Sequence, residues 1–159
     1  MQRVNVICVG KLKEKYLRDG VSEYAKRLQA MCKFSVTELD EERLSDESTS
    51  SINAVIAAEG RRIISRIDKN AVVIAMCIEG ETMSSESLAS YFMQTAVGGA
   101  STVDIIIGGS YGLSDEVKKR ADLRLSMSPM TFPHQLARVM VCEQVYRAFS
   151  INNGSKYHK

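Results

Sequence analysis

Two short stretches constrain the fold more than anything else in the chain: "AVVIAMCI" (Ala71–Ile78) and "VDIIIGG" (Val103–Gly109). Both are almost continuously apolar over the length of a strand, and neither alternates polar with apolar residues. A strand without alternation is buried on both faces, and such strands belong to parallel sheets covered by helices on each side. The segments around them fit that scheme. "VNVICVG" (Val4–Gly10) and "FSVTELD" (Phe34–Asp40) read as further strands, and "LRLSMSPM" (Leu123–Met130) as the last. Leu17, Val21, Tyr24, Ala25 and Leu28 recur at helical spacing. So do Ile52, Val55, Ile56, Ile63, Ile64 and Ile67, with Gly60 as a weak point inside their helix.

Helix-start chemistry marks three more helices. Ser84 or Ser85 caps one whose Leu88, Tyr91 and Phe92 face inward. Ser114 caps a short one with Asp115 and Glu116 at its start and Lys118, Lys119 and Arg120 toward its end, the order that suits the helix dipole. Pro133 fits the first turn of the last. There Leu136, Val139, Met140, Val145, Tyr146 and Phe149 form an apolar stripe that can meet a second copy of the chain across a two-fold axis. Strands alternating with helices predict an α/β fold with a mainly parallel sheet flanked by helices. No linker or repeat interrupts it, so residues 1–159 read as one domain.

Composition narrows the setting. No apolar run is long enough to cross a membrane, and the N-terminal run is too short for a signal peptide, so a cytoplasmic protein is expected. Cys8, Cys32, Cys77 and Cys142 form no C-x-x-C pair, and no histidine stands at metal-ligand spacing from them. They read as reduced thiols, three of them in apolar runs, with no metal implied. Net charge is only +2, but residues 1–33 carry eight basic and three acidic side chains, while residues 34–60 carry one and seven. That asymmetry permits a polyanionic partner without requiring one.

In a parallel sheet, ligands bind beyond the carboxyl ends of the strands. Three such ends carry informative residues: Met76–Gly80, Gly108–Gly112 and Ser126–Phe132. The only prolines, Pro129 and Pro133, stiffen the last of these. A glycine loop beside a stiff loop makes a pocket for a flat, polar ligand. Gly108-Gly109-Ser110-Tyr111-Gly112 also matches the G-x-S-x-G nucleophile elbow of serine hydrolases, with Ser110 as the nucleophile. The size argues against it. Only 49 residues follow Ser110, too few for the strand–helix units that carry the acid and the base, and no HGGG-like stretch offers a second oxyanion donor.

"VGKLKEKY" (Val9–Tyr16), "IIIGGSYGLSDEV" (Ile105–Val117), "MTFPHQLARVMVCEQVYRAFSI" (Met130–Ile151) and the closing "YHK" resemble the ribosomal RNA large subunit methyltransferase H family, RlmH, of the SPOUT superfamily. The resemblance is collinear and covers nearly the whole chain. It implies a SPOUT-type fold with a C-terminal trefoil knot, a homodimer, and S-adenosyl-L-methionine as methyl donor. It further implies methylation of N3 of a pseudouridine in large-subunit (23S) ribosomal RNA within the assembled ribosome. The cofactor positions it carries over are Met76, Gly108, Met127, Ser128, Pro129, Met130, Thr131 and Phe132. Pro129 brings no backbone donor. On that reading Gly108 and Gly109 let the backbone approach the cofactor. Tyr157 and His158 are the catalytic candidates, reaching across the dimer into the partner's site: an imidazole titrates in the range a general base needs. Lys159 can stabilise a developing anion. Lys11, Lys13, Lys15, Tyr16 and Arg18 are candidates for RNA phosphate contacts. Two other classes stand beside this one: a serine hydrolase using Ser110, and a non-catalytic ribosome-binding module.

Overall fold

A computed structural model describes all 159 residues. Along the chain run β1 (Arg3–Val9), α1 (Lys15–Leu28), β2 (Lys33–Leu39), α2 (Thr49–Arg66), β3 (Val72–Thr82), α3 (Ser85–Val97), β4 (Thr102–Ile107), α4 (Asp115–Arg120), β5 (Leu123–Ser126) and α5 (His134–Asn152). All five strands are parallel, in the order β2-β1-β4-β3-β5. The absence of alternation in the apolar runs now has its cause. Val6, Cys8, Ile74, Val103, Ile105 and Ile107 pack on one face beneath α1, α3 and α5. Ile7, Val9, Val73, Ala75 and Ile106 pack on the other beneath α2 and α4. Every residue of β4 is buried. Its one charged member, Asp104, accepts hydrogen bonds from Asn5 Nδ2 at 2.7 Å and from the Asp68 amide at 2.8 Å, which offsets the loss of water.

Four local features differ from the sequence expectation. β3 runs past Met76 to Thr82 but breaks register: Met76 pairs with Leu125, and Glu81 pairs with Leu125 again. Residues 77–80 bulge between them. A Cβ on Gly80 would lie 2.7 Å from the backbone of Arg124, so only glycine lets the bulge lie against β5. Gly60 is not a weak point. A side chain there would collide with Ser114, whose Cβ would be 2.8 Å away, so the glycine lets α2 pack against the start of α4. Pro133 is the N-cap of α5, with extended ψ, rather than part of its first turn.

The apolar stripe on α5 is only partly a free face. The helix lies between α1 and α3 and buries Val141, Cys142, Val145, Ala148 and Phe149 in the chain's own core. Val139 packs against α1 where Gly20 allows close approach. Of the stripe predicted to meet a second copy, Val145 and Phe149 are used inside the chain, Val139, Met140 and Tyr146 are half-buried, and Leu136 is exposed. No helix is long and apolar enough to cross a membrane.

Candidate active site

The carboxyl ends of β3, β4 and β5 open into a cleft of about 540 Å³. Each wall follows from a local rule. From β4 come Gly108, Gly109, Ser110, Gly112 and Leu113. The Gly112 amide donates back to the Gly109 carbonyl at 3.2 Å, and Gly112 has φ of +88°, which closes a tight turn ahead of the Ser114 cap. Gly108 is required by this turn itself. A Cβ there would stand 2.9 Å from the Gly112 carbonyl carbon and 3.0 Å from Leu113 Cδ2.

From the bulge of β3 come Met76, Cys77 and Ile78, and from the loop after β5 come Met127, Ser128, Met130, Thr131, Phe132, Pro133 and His134. That loop holds its shape through Ser126 Oγ donating to the Ser128 carbonyl at 3.1 Å and the Met130 amide donating to Ser128 Oγ at 3.0 Å. The amides of Ser128, Thr131 and Phe132 meet no backbone acceptor in the chain. They are free to meet a ligand at the cleft wall. Met76, Gly108, Met127, Ser128, Met130, Thr131 and Phe132 thus share one cleft. Pro129 does not line it. A second cavity of about 210 Å³, mostly apolar, lies between α3 and α5 and shares Met76, Leu125, Ser126 and Met127 with the first.

Electrostatics differ sharply between two layers of the site. His134 is half-buried at the cleft edge. Burial first, and the nearby Arg138 guanidinium second, hold its imidazole below the ordinary histidine value. Behind the glycine turn, Glu59 of α2 is 4% exposed. Its Oε2 accepts from the Glu42 amide at 3.0 Å, and its Oε1, which would be 3.1 Å from a Cβ on Gly109, has no partner. Burial raises its carboxyl above the ordinary range. The sequence reading passed over Glu59 and Arg138. Both occupy the apolar face of a helix: Glu59 falls four residues from Val55 and from Ile63, and Arg138 falls on the Val141/Cys142/Val145 face. A lone charge in an apolar stripe was the available signal.

Tyr157 and His158 lie elsewhere. They fold back on their own α5 and α3, outside the lining of their own cleft. Arg147 can only donate, so His158 Nδ1 accepts from Arg147 Nη1 at 3.0 Å, and the Nε2–H donates to Glu86 Oε1 at 2.7 Å. The Tyr157 hydroxyl donates to Glu143 Oε1 at 3.0 Å. Burial, followed by that bond, pushes its phenol up to about 12. Its ring packs on Tyr146, and the Arg147 guanidinium lies over it.

The hydrolase geometry is missing. No non-glycine residue has positive φ, so the strained turn of a nucleophile elbow is not built. Ser110 sits exposed at the tip of the turn. His134 lines the same cleft, but neither Ser110 nor a carboxylate is hydrogen-bonded to it. Burial pushes the Cys8 thiol up to about 11 and Cys142 up to about 12, which leaves both inert as nucleophiles. No cluster of three or more His, Cys, Asp or Glu side chains could hold a metal ion.

The profile of the family described as "Predicted SPOUT methyltransferase" matches residues 2–158. The chain belongs to the SPOUT methyltransferase family. It is 48% identical to "Ribosomal RNA large subunit methyltransferase H" of Clostridioides difficile (strain 630) over 157 residues, 98% of this chain and 99% of that one. It is 46% identical to the protein of the same name from Streptococcus pneumoniae (strain CGSP14), covering 99% of each. Among solved structures, a probable methylase family protein from Haemophilus influenzae Rd KW20 superposes with a TM-score of 0.51. That match covers 99% of this chain and 70% of the other at 16% identity, a likeness of fold alone. The parallel α/β sheet with helices on both faces is thus the SPOUT arrangement.

Proposed function

We propose that this chain is an S-adenosyl-L-methionine-dependent methyltransferase of large-subunit ribosomal RNA, acting on N3 of a pseudouridine in the assembled ribosome. The observation that carries the proposal is the convergence of Met76, Gly108, Met127, Ser128, Met130, Thr131 and Phe132 on one cleft. Membership of a methyltransferase family and the shared name of relatives 46–48% identical over nearly the full length support it.

The residues suit the cofactor. The cleft falls within the ordinary size range of ligand sites, about 300–1,000 Å³. Met76, Met127, Met130 and Phe132 offer apolar and polarisable walls for an adenine ring. The free amides of Ser128, Thr131 and Phe132 offer donors to its polar atoms, and Pro129, which has none, points no lining into the cleft. When bound there, the cofactor supplies an electrophilic methyl group on a sulfonium. The protein's task is to align the acceptor nitrogen in line with it, and such positioning can contribute several kcal/mol, up to about 7–11. The N3 proton must also leave, which calls for a base. We assign that role to His158 of the partner subunit in a homodimer, since His158 stands outside its own cleft. Its Nδ1 becomes available once Arg147 releases it, while Glu86 keeps the Nε2–H oriented. Tyr157, whose phenol stays protonated, serves as a donor and packing residue.

Calorimetry with S-adenosyl-L-methionine is the direct test, using Phe132→Ala and Thr131→Trp as cleft variants. Loss of affinity in folded variants supports the site. Absence of binding to the unaltered chain would remove the reading. Mass mapping of ribosomal RNA from cells with and without the gene then identifies the modified nucleotide.

A further inference from the structure

The loop between β1 and α1 is held far more firmly than a surface loop requires. Arg138, 1% exposed and buried in α5, donates through Nη2 to the carbonyls of Val9 and Gly10 at 3.2 and 3.0 Å. Its Nη1 donates to Glu38 Oε2 at 2.7 Å, and the same oxygen accepts from the Leu12 amide at 3.2 Å. Arg18 Nη1 donates to the carbonyls of Leu12 and Lys13 at 3.1 and 2.8 Å. The Lys13 amide donates to Gln135 Oε1 at 3.4 Å, and Leu12 is buried. Two arginines, a glutamate and a glutamine therefore hold backbone groups of Val9, Gly10, Leu12 and Lys13, on both sides of Lys11.

The side chains on this fixed backbone are free. Lys11 and Lys13 are exposed, and neither enters an ion pair. Tyr16, at the start of α1, is 70% exposed. Lys15, by contrast, is paired with Asp19. The position of the loop is the second observation. Gln135, which holds Lys13, follows Pro133 and His134 in the cleft wall. The charge of Lys13 is felt at His134 itself. The loop is thus a rim of the cleft. The acidic groups beside it are Glu14, the exposed N-cap of α1, Glu38, occupied by Arg138, and Glu41, which stands 3.7 Å from where a Cβ on Gly10 would be.

We propose that Lys11, Lys13 and Tyr16 form the surface that grips the substrate strand beside the acceptor nucleotide, the lysines on two phosphates and Tyr16 beneath a neighbouring base. The partner is single-stranded RNA, because a tyrosine face can stack only on an unpaired base. A pre-fixed backbone lowers the ordering cost of each contact. This inference rests on RNA being the substrate.

The test uses the full chain and three readouts. Lys11→Ala/Lys13→Ala and Tyr16→Ala are compared with the unaltered protein for S-adenosyl-L-methionine affinity, for KM and kcat on ribosomes, and for binding to a fluorescent single-stranded RNA of about ten nucleotides. The double variant should bind the RNA roughly tenfold more weakly, with a salt slope shallower by about 1.4, two phosphates at about 0.7 each. KM on ribosomes should rise, with cofactor affinity unchanged. RNA affinity and salt slope equal to those of the unaltered protein would overturn the proposal, as would an unaltered protein with no measurable affinity for RNA. Weakened ribosome binding with unchanged RNA affinity would assign the loop to a ribosomal protein and overturn it too. Loop-dependent RNA binding without methylation of any ribosome would leave this surface standing and sink the methyltransferase reading.

Discussion

Glu59 is the residue at which the local physics is most exposed to measurement. Its carboxyl is raised by burial and one of its oxygens is unpartnered. A group whose folded value is raised takes up a proton more readily in the fold than in the unfolded chain. The penalty for burying its charge is therefore fully present above the folded value and fades as pH falls through it. Glu59→Gln keeps an acceptor for the Glu42 amide and removes the charge. Urea unfolding should show the stability of the variant, relative to the unaltered chain, highest at neutral pH and falling as pH enters the ordinary carboxylate range, because only the unaltered chain regains the charge penalty there. A difference independent of pH would mean that the carboxylate is not the source. Ser110 offers the complementary test of chemistry. Ser110→Ala should lower methyl transfer by no more than a single hydrogen bond is worth, about 1 kcal/mol, whereas a nucleophile would lose several orders of magnitude. An esterase activity that vanished in this variant would reverse the assignment. Residues such as Met76, Gly108 and Phe132 could be located from the chain alone because glycines, prolines and apolar strand ends mark backbone that must turn. The partners of Glu59 and His158 could not be located, because a carboxylate or an imidazole shows nothing in sequence of what it will face.

At the scale of elements, the five strands and five helices follow from apolar periodicity and serine caps, and Ser84 and Ser114 cap as their chemistry demands. What periodicity could not separate was which face of α5 is buried. That helix is apolar on more than one side because it lies between two neighbours, α1 and α3. The role of Gly60 was hidden for the same reason: close approach between helices leaves no local pattern. Its consequence can be measured. Alanine is favoured over glycine in a helix by about 1 kcal/mol. Here the added methyl would strike Ser114, and overpacking costs about 1–3 kcal/mol. Displacing the Ser114 hydroxyl from the Val117 amide would cost about 1 kcal/mol more. The collision wins, so Gly60→Ala should lower stability by about 1–3 kcal/mol. Ser114→Gly, which vacates that space, should be less damaging in the Gly60→Ala background than in the unaltered chain. A stabilising Gly60→Ala would show that α2 and α4 can separate without loss.

At the scale of the whole molecule, a cleft and its catalytic candidates are divided between two regions that do not meet within one chain. His158 and Tyr157 are docked on Arg147, Glu86 and Glu143, while Met76 and Met127–Phe132 line the cleft. Of the α5 stripe, Val145 and Phe149 are used in the chain's own core, while Leu136 is exposed and Val139, Met140 and Tyr146 are half-buried. In a dimer the docked residues 157–159 would have to reach the partner's cleft. A mixed dimer decides the matter. One chain ends at Lys156 and keeps its cleft intact. The other carries Thr131→Trp, which fills the cleft and leaves residues 157–159 in place. Each should be inactive as a homodimer: the first for want of His158, the second for want of cofactor, as calorimetry would verify beforehand. In the heterodimer, one site combines the intact cleft of the first chain with Tyr157 and His158 of the second. The other site lacks both. Methyl transfer should therefore return to about half the unaltered activity per dimer, the share expected of one independent site in two. Heterodimers that form but stay inactive would mean that His158 swings into the cleft of its own chain, or that the two sites work only together.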